Sequence, residues 1–288
     1  MDPKGKLIAI GGNEDKGQGP EAGHRDRVFR NDFIGSSVLR RVVDEIGGGH
    51  KRLALITTAS SIPDEVAENY KDAFSRLGLA DLDHLRIRER KDVTPQMVAR
   101  LDAADAVMIS GGNQLRLTTI IGGTELARTL QRRYMNEPGF VIAGTSAGAM
   151  CMSSTMIYQG HSSTGLFKGE VKMTTGLSLV EEVIIDSHFV ARGRFSRLTQ
   201  AVASNPDSIG IGLGEDTGVV ITDGHDLEII GSGQVIIFDG HEMLHSDIAD
   251  VDDGRPISIE HMVVHIISAG YRFNIRARSF FSSTFADR

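Results

Sequence analysis

Gly144-Thr145-Ser146-Ala147-Gly148 places a serine in the spacing G-x-S-x-G, directly after the apolar run Phe140–Ala143. Between a strand and a helix, flanking glycines of this kind permit the strained turn that pushes a serine side chain out of a sheet. The start of the helix beneath it then offers backbone N–H groups and a positive dipole end. The chemistry such a serine supports is acyl transfer, which needs a base and an acid that orients the base. His188, alone among the ten histidines, stands at the end of a strand in the parallel series. Glu215 is the next strand-end carboxylate, with Asp216 beside it. Singly, each has a plainer reading: a glycine-rich turn that only packs, a hydrogen-bonded histidine, a solvated or capping carboxylate. Three strand ends bearing Ser, His and Glu together point to a nucleophile, base and orienting acid. The order Ser…His…Glu differs from the Ser…acid…His order of α/β-hydrolases and argues for another family.

Other patterns carry less. His241-Glu242-Met243-Leu244-His245 matches H-E-x-x-H, a zinc pattern that works only on a helix. It follows Val235–Phe238 and an Asp-Gly turn, so a strand is expected there, with the two histidines about 13 Å apart and unable to share a metal. No G-x-G-x-x-G or G-x-x-x-x-G-K-[ST] spacing indicates a nucleotide site. Cys151 sits in the apolar run AMCM and reads as a buried small hydrophobe. Arg192, Arg194 and Arg197 follow His188 closely. A solvated basic face is the usual meaning of such a run, but guanidiniums beside a hydrolytic site are good carboxylate clamps. Asp186 on the same segment could take a cationic group, so the mixture suits a zwitterionic substrate.

The elements that must position these residues read as alternating strands and helices. Strands are expected at Lys6–Ile10, Leu53–Thr57, Leu82–Ile87, Ala106–Ser110, Phe140–Ala143, Val183–Asp186 and Ile209–Leu213. Helices are expected at 27–46, from Pro63 to Gly78, from Thr94-Pro95, near 124–136, and up to about Ser204. The stretch 153–180 reads as irregular. This pattern predicts an α/β fold: a mostly parallel sheet with helices on both faces and ligands bound beyond the carboxyl ends of the strands. Past residue 215, short runs at Gly218–Thr222, Leu227–Ile230, Val235–Phe238, Ile257–Ile267 and Tyr271–Ile275, with Asp-Gly turns at 223–224 and 239–240, predict an antiparallel extension of that sheet. No linker marks a second domain, so one domain over 1–288 is expected.

Composition bounds the function classes. The 288 residues carry 31 Lys+Arg against 38 Asp+Glu, a net charge of −7 that argues against a dedicated nucleic-acid binder. One cysteine excludes a disulfide framework and a cysteine-rich zinc site. No apolar run approaches the roughly 20 residues of a membrane span, and the first residues lack signal-peptide character. A cytoplasmic protein without membrane attachment is the expectation.

Together, GGNEDK (11–16), GGNQLRL (111–117), GTSAGA (144–149), DSHFVARGRFSRL (186–198) and GLGEDT (212–217) resemble the cyanophycinases, serine exopeptidases related to aspartyl dipeptidase (peptidase E). The motifs occur in the family's order over most of the chain. The resemblance implies a flavodoxin-like, class I glutamine amidotransferase-like architecture, usually homodimeric, with no metal or other cofactor. It implies Ser146 as nucleophile, His188 as general base and Glu215 as the orienting acid. Backbone N–H groups of Ala147 and the Gly111-Gly112 turn would form the oxyanion hole. Gln114, Asp186, Ser187, Arg192, Arg194 and Arg197 match substrate-pocket positions. The implied substrate is cyanophycin, a poly-aspartate backbone with arginine on each β-carboxyl, cut to β-Asp-Arg dipeptides. One departure is Ser187, where the family has Gln before the histidine; a shorter side chain there would enlarge the pocket. The alternatives are a dipeptidase for α- or β-aspartyl dipeptides, and a non-catalytic binder of an anionic ligand on the same fold.

Overall fold

The computed structural model describes residues 2–17 and 33–282. In chain order, the first half contains β1 (Lys6–Ile10), α1 (Phe33–Ser36), α2 (Val38–Glu45), β2 (Arg52–Ile56), α3 (Pro63–Arg76) and β3 (Asp81–Leu85). It continues through α4 (Pro95–Asp102), β4 (Ala106–Ile109), α5 (Gln114–Ile121), α6 (Glu125–Asn136), β5 (Val141–Thr145) and α7 (Ala147–Met150). The second half runs β6 (Thr155–Gln159), β7 (Lys172–Thr175), β8 (Val183–Asp186), α8 (Phe195–Ser204), β9 (Ile209–Leu213), β10 (Thr217–Thr222), β11 (Asp226–Gly231) and β12 (Gln234–Asp239). It ends with β13 (His245–Ser246), β14 (Ile259–Glu260), β15 (Val263–Ser268), β16 (Tyr271–Asn274) and β17 (Ser279–Ser282).

The main sheet has the order β17-β16-β11-β10-β1-β5-β4-β2-β3. Strands β1, β5, β4, β2 and β3 are parallel, and β10, β11, β16 and β17 extend the sheet antiparallel from β1. Apart from the edge strand β3, the parallel strands are largely apolar on both faces, as a sheet covered on both sides requires. In β1, Leu7 and Ala9 join one core while Ile8 and Ile10 join the other. Helices α2 and α3 cover the Ile8 and Ile10 face, and α4 to α7 lie in the opposite core. Local signals place the helix starts: Ser37, Thr94 and Thr124 cap α2, α4 and α6 with side-chain hydrogen bonds, and Pro63 opens α3.

Several sequence expectations need correction. Val183–Asp186 and Ile209–Leu213 do not join the main sheet; β8 and β9 pair in parallel in a second sheet of order β15-β12-β9-β8 that packs into the core beneath the main one. The stretch 153–180 contains the β6–β7 hairpin, and GGNQLRL runs into helix α5, capped by the Asn113 side chain. Val235–Phe238, expected in the antiparallel extension of the main sheet, lies in β12 of the second sheet, and the run 257–267 breaks into β14 and β15, of which β15 also joins that second sheet. The helix expected over 27–46 is two short helices from Phe33 onward, its earlier part lying outside the described residues. His241–His245, expected on a strand, forms a turn that reaches β13 only at His245, and is not helical. Among the described residues, no helix is long and apolar enough to cross a membrane.

Candidate active site

The carboxyl ends of β1, β4 and β5 meet those of β8 and β9 at one place, and backbone hydrogen bonds stitch the junction. The Ser146 and His188 amides donate to Ile10 O and Gly11 O, each at 2.8 Å, and the Phe189 amide donates to Leu213 O at 3.0 Å. The histidine segment therefore ties the two sheets together.

Ser146 sits in the elbow with φ 51° and ψ −111°, a conformation most residues avoid. The elbow closes because its neighbours lack side chains: a Cβ at Gly144 would stand 2.5 Å from Gly148 O, and one at Gly148 would stand 2.2 Å from Ile109 O. The helix that follows, α7, is one turn of four residues. The dipole contribution expected from a full helix is therefore small, and the local amides remain as donors. The Gly111-Gly112 turn lies against the nucleophile, with the Cβ position of Gly111 3.2 Å from Ser146 Cβ.

His188 Nε2 lies 3.1 Å from Ser146 Oγ, and its Nδ1 lies 2.8 Å from Glu215 Oε1. Asn13 Nδ2 donates to Glu215 Oε2 at 3.0 Å, so the carboxylate is itself oriented. Burial holds the His188 imidazole below its ordinary pKa. The Glu215 hydrogen bond opposes that shift, and the Arg192 and Arg194 charges reinforce it. Asp216 faces away from the histidine, accepting from the Asp15 amide at 3.0 Å and Ser232 Oγ at 2.7 Å.

A cleft of about 370 Å³ opens over Ser146 and His188, within the size range of small-molecule sites. Of the substrate-binding residues expected from sequence, Arg192 lines it. The others do not, for reasons visible in their contacts. Asp186 is fully buried, taking Arg197 Nε at 2.6 Å and Arg194 Nη1 at 3.1 Å, with a further contact from Arg197 Nη2. Two guanidiniums thus satisfy its carboxylate where no cationic substrate group can reach it. Arg194 also donates to Ser187 O at 2.7 Å, so Asp186 with its two arginines pins the turn that presents His188. Ser187 is buried with its hydroxyl 3.3 Å from Met150 Sδ, and so does not widen the cleft. Gln114 spends its amide on Ile157 O at 3.0 Å, holding the β6–β7 hairpin. Arg194 and Arg197 reach the same carboxylate, although α8 begins only at Phe195.

The structure also brings in residues the sequence reading passed over. Glu14, Lys16, Asn69 and Tyr70 line the cleft. Glu14 accepts from Thr145 Oγ1 at 2.7 Å and from the Tyr70 hydroxyl, and lies 3.1 Å from Lys16 Nζ. Burial alone would raise its pKa; Lys16, Tyr70 and Thr145 together outweigh burial and hold it at about 2. The signal in the sequence is the charged tail of GGNEDK at a strand end. Cys151 is buried with its thiol on Gly148 O, and burial pushes its pKa far up.

Comparison with known proteins identifies the family. Residues 34–230 match the model of peptidase family S51. The chain is 33% identical over 274 residues to the cyanophycinase of Synechococcus elongatus, covering 95% of this chain and 80% of that one. It is 34% identical over 277 residues to the cyanophycinase of Nostoc sp. strain PCC 7120, covering 96% and 87%. The fold is shared with a peptidase from an acI-B1 Actinobacterium, at a TM-score of 0.67 and 19% identity over 95% of this chain and 98% of that one. A family match over most of the chain, joined to relatives sharing a third of their residues along nearly its whole length, makes this protein a serine-type peptidase of family S51.

Proposed function

We propose that the protein hydrolyses cyanophycin to β-Asp-Arg dipeptides, with Ser146 as nucleophile, His188 as general base and Glu215 as the acid that orients it. The observation that carries the reading is the hydrogen-bonded chain from Ser146 Oγ through His188 Nε2 and Nδ1 to Glu215 Oε1. Ser146 Oγ attacks an aspartyl carbonyl as His188 accepts its proton, and Glu215 stabilises the imidazolium. The burial that lowers the His188 pKa keeps the ring neutral near pH 7, as a base must be. Amides of Ala147 and the Gly111-Gly112 turn border the developing oxyanion, each such donor being worth about 3 kcal/mol. His188 then protonates the leaving amine, and water, deprotonated by the same ring, releases the acyl group. The similarity to proteins named cyanophycinase supports the polymer as substrate.

The test is chromatography of the products after cyanophycin is incubated with wild type and with Ser146→Ala. Release of β-Asp-Arg by wild type alone is the expected result. Cleavage of small aspartyl dipeptides without polymer turnover would replace the substrate and keep the chemistry. Turnover by Ser146→Ala equal to wild type would overturn the triad.

A further inference from the structure

Of the three arginines of the motif, Arg192 is the one that lines the cleft. Asp186 spends its charge on Arg194 and Arg197 beneath the site, so among the described residues the cations facing the cleft are Lys16 and Arg192. Arg192 is exposed on a turn, whereas Lys16 is held in place. Its ammonium lies 3.1 Å from Glu14 Oε1 and 5.1 Å from the centroid of the Tyr70 ring, against which it makes a cation–π contact. Glu14 is fixed in turn by the Tyr70 hydroxyl and by Thr145 Oγ1, and Thr145 is bonded directly to Ser146. The ammonium is thereby held in register with the nucleophile, and the entropy cost of ordering a long side chain is met before any ligand arrives.

An ammonium has three donors, and Glu14 takes one. The side chain keeps 27% of its surface exposed, on the cleft side of a carboxylate that is 2% exposed. Glu14 therefore supports the cation from behind and leaves its front available. We propose that Lys16 is a specificity-determining residue that pairs with a free carboxylate of the substrate unit whose carbonyl Ser146 attacks. This rests on the proposed function only for the identity of that unit. In that unit the backbone carboxyl is engaged in the bond being cut, so the free carboxylate of a β-aspartyl-arginine unit is the one on its arginine branch.

The experiment is calorimetric binding to the inactive Ser146→Ala protein, which needs no turnover. The probes are β-aspartyl-arginine and its two singly amidated forms. Adding Lys16→Met is expected to weaken binding of the dipeptide about 10- to 100-fold, the worth of a charge-assisted hydrogen bond. The form amidated on arginine should bind both proteins equally, because it lacks the carboxylate that Lys16 holds, while the form amidated on the aspartyl α-carboxyl should be weakened like the dipeptide. Lys16→Arg should keep the discrimination. Should Lys16→Met unfold by stranding Glu14, the pair Lys16→Met with Glu14→Gln removes both charges and carries the same expectation. Equal weakening of all three probes, or of none, overturns the role of Lys16 alone. Failure of every probe to bind Ser146→Ala overturns the substrate class and this proposal with it.

Discussion

Gly12→Ala should disable the site from the backbone of a residue that performs no chemistry. Gly12 has φ +98°, and a Cβ built there would stand 2.4 Å from His188 Nε2 and 2.5 Å from its Cε1. Carbon contacts relax near 3.5 Å, so the ring must retreat by about 1 Å. The ring now reaches Ser146 Oγ at 3.1 Å; a retreat of that size takes the pair beyond hydrogen-bond range. Misplacement of a reacting group by about 1 Å costs roughly 100-fold in rate. The positive φ adds backbone strain of at least about 1 kcal/mol, which a protein of this size should survive. The assay measures kcat/KM on an aspartyl peptide, the labelling rate of Ser146 by a fluorophosphonate probe, and the urea midpoint. Activity and labelling should each fall about 100-fold while the midpoint moves little. A variant within threefold of wild type in both would refute the argument that the Gly12 backbone sets the position of the histidine.

Asp186→Asn leaves the buried Arg197 and the half-buried Arg194 without their carboxylate, a loss of about 3–5 kcal/mol to be read as a lowered urea midpoint. Normal stability with a raised KM would instead return Asp186 to the substrate. The acid limb of kcat/KM should lie below the ordinary histidine range, because burial lowers the His188 pKa and the base is lost only when the ring protonates. Arg192→Gln removes one charge that lowers that pKa, so the limb should move to higher pH; a pH profile that stays in place or moves lower contradicts the assignment.

Much of this was legible along the chain. Repeated apolar runs ending in glycine locate the parallel strands, and Pro63, Thr94 and Thr124 mark helix starts through local chemistry that needs no tertiary partner. The elbow serine is readable because a strained turn demands small flanking residues. The β6–β7 hairpin escaped notice because its strands, with Lys172, Thr174 and Thr175 in the second, lack a sustained apolar alternation. Sheet membership of β8 and β9 escaped because an apolar strand reads the same in either of two sheets; the choice falls to β12, which pairs with β9 from more than twenty residues away.

The sequence by itself determined which side chains could carry acyl transfer, since residue type and the glycines around Ser146 are local properties. Only the tertiary structure decided which charges remain available to a substrate. Asp186, Arg194 and Arg197 look like a binding cluster in sequence, yet folding turns them inward on one another, while Glu14 and Lys16 come to the nucleophile from 130 residues away through Thr145. The physical reason is desolvation: a charge withdrawn from water must be paired at close range, and which partner it finds depends on packing between distant segments, which neighbours in sequence do not specify.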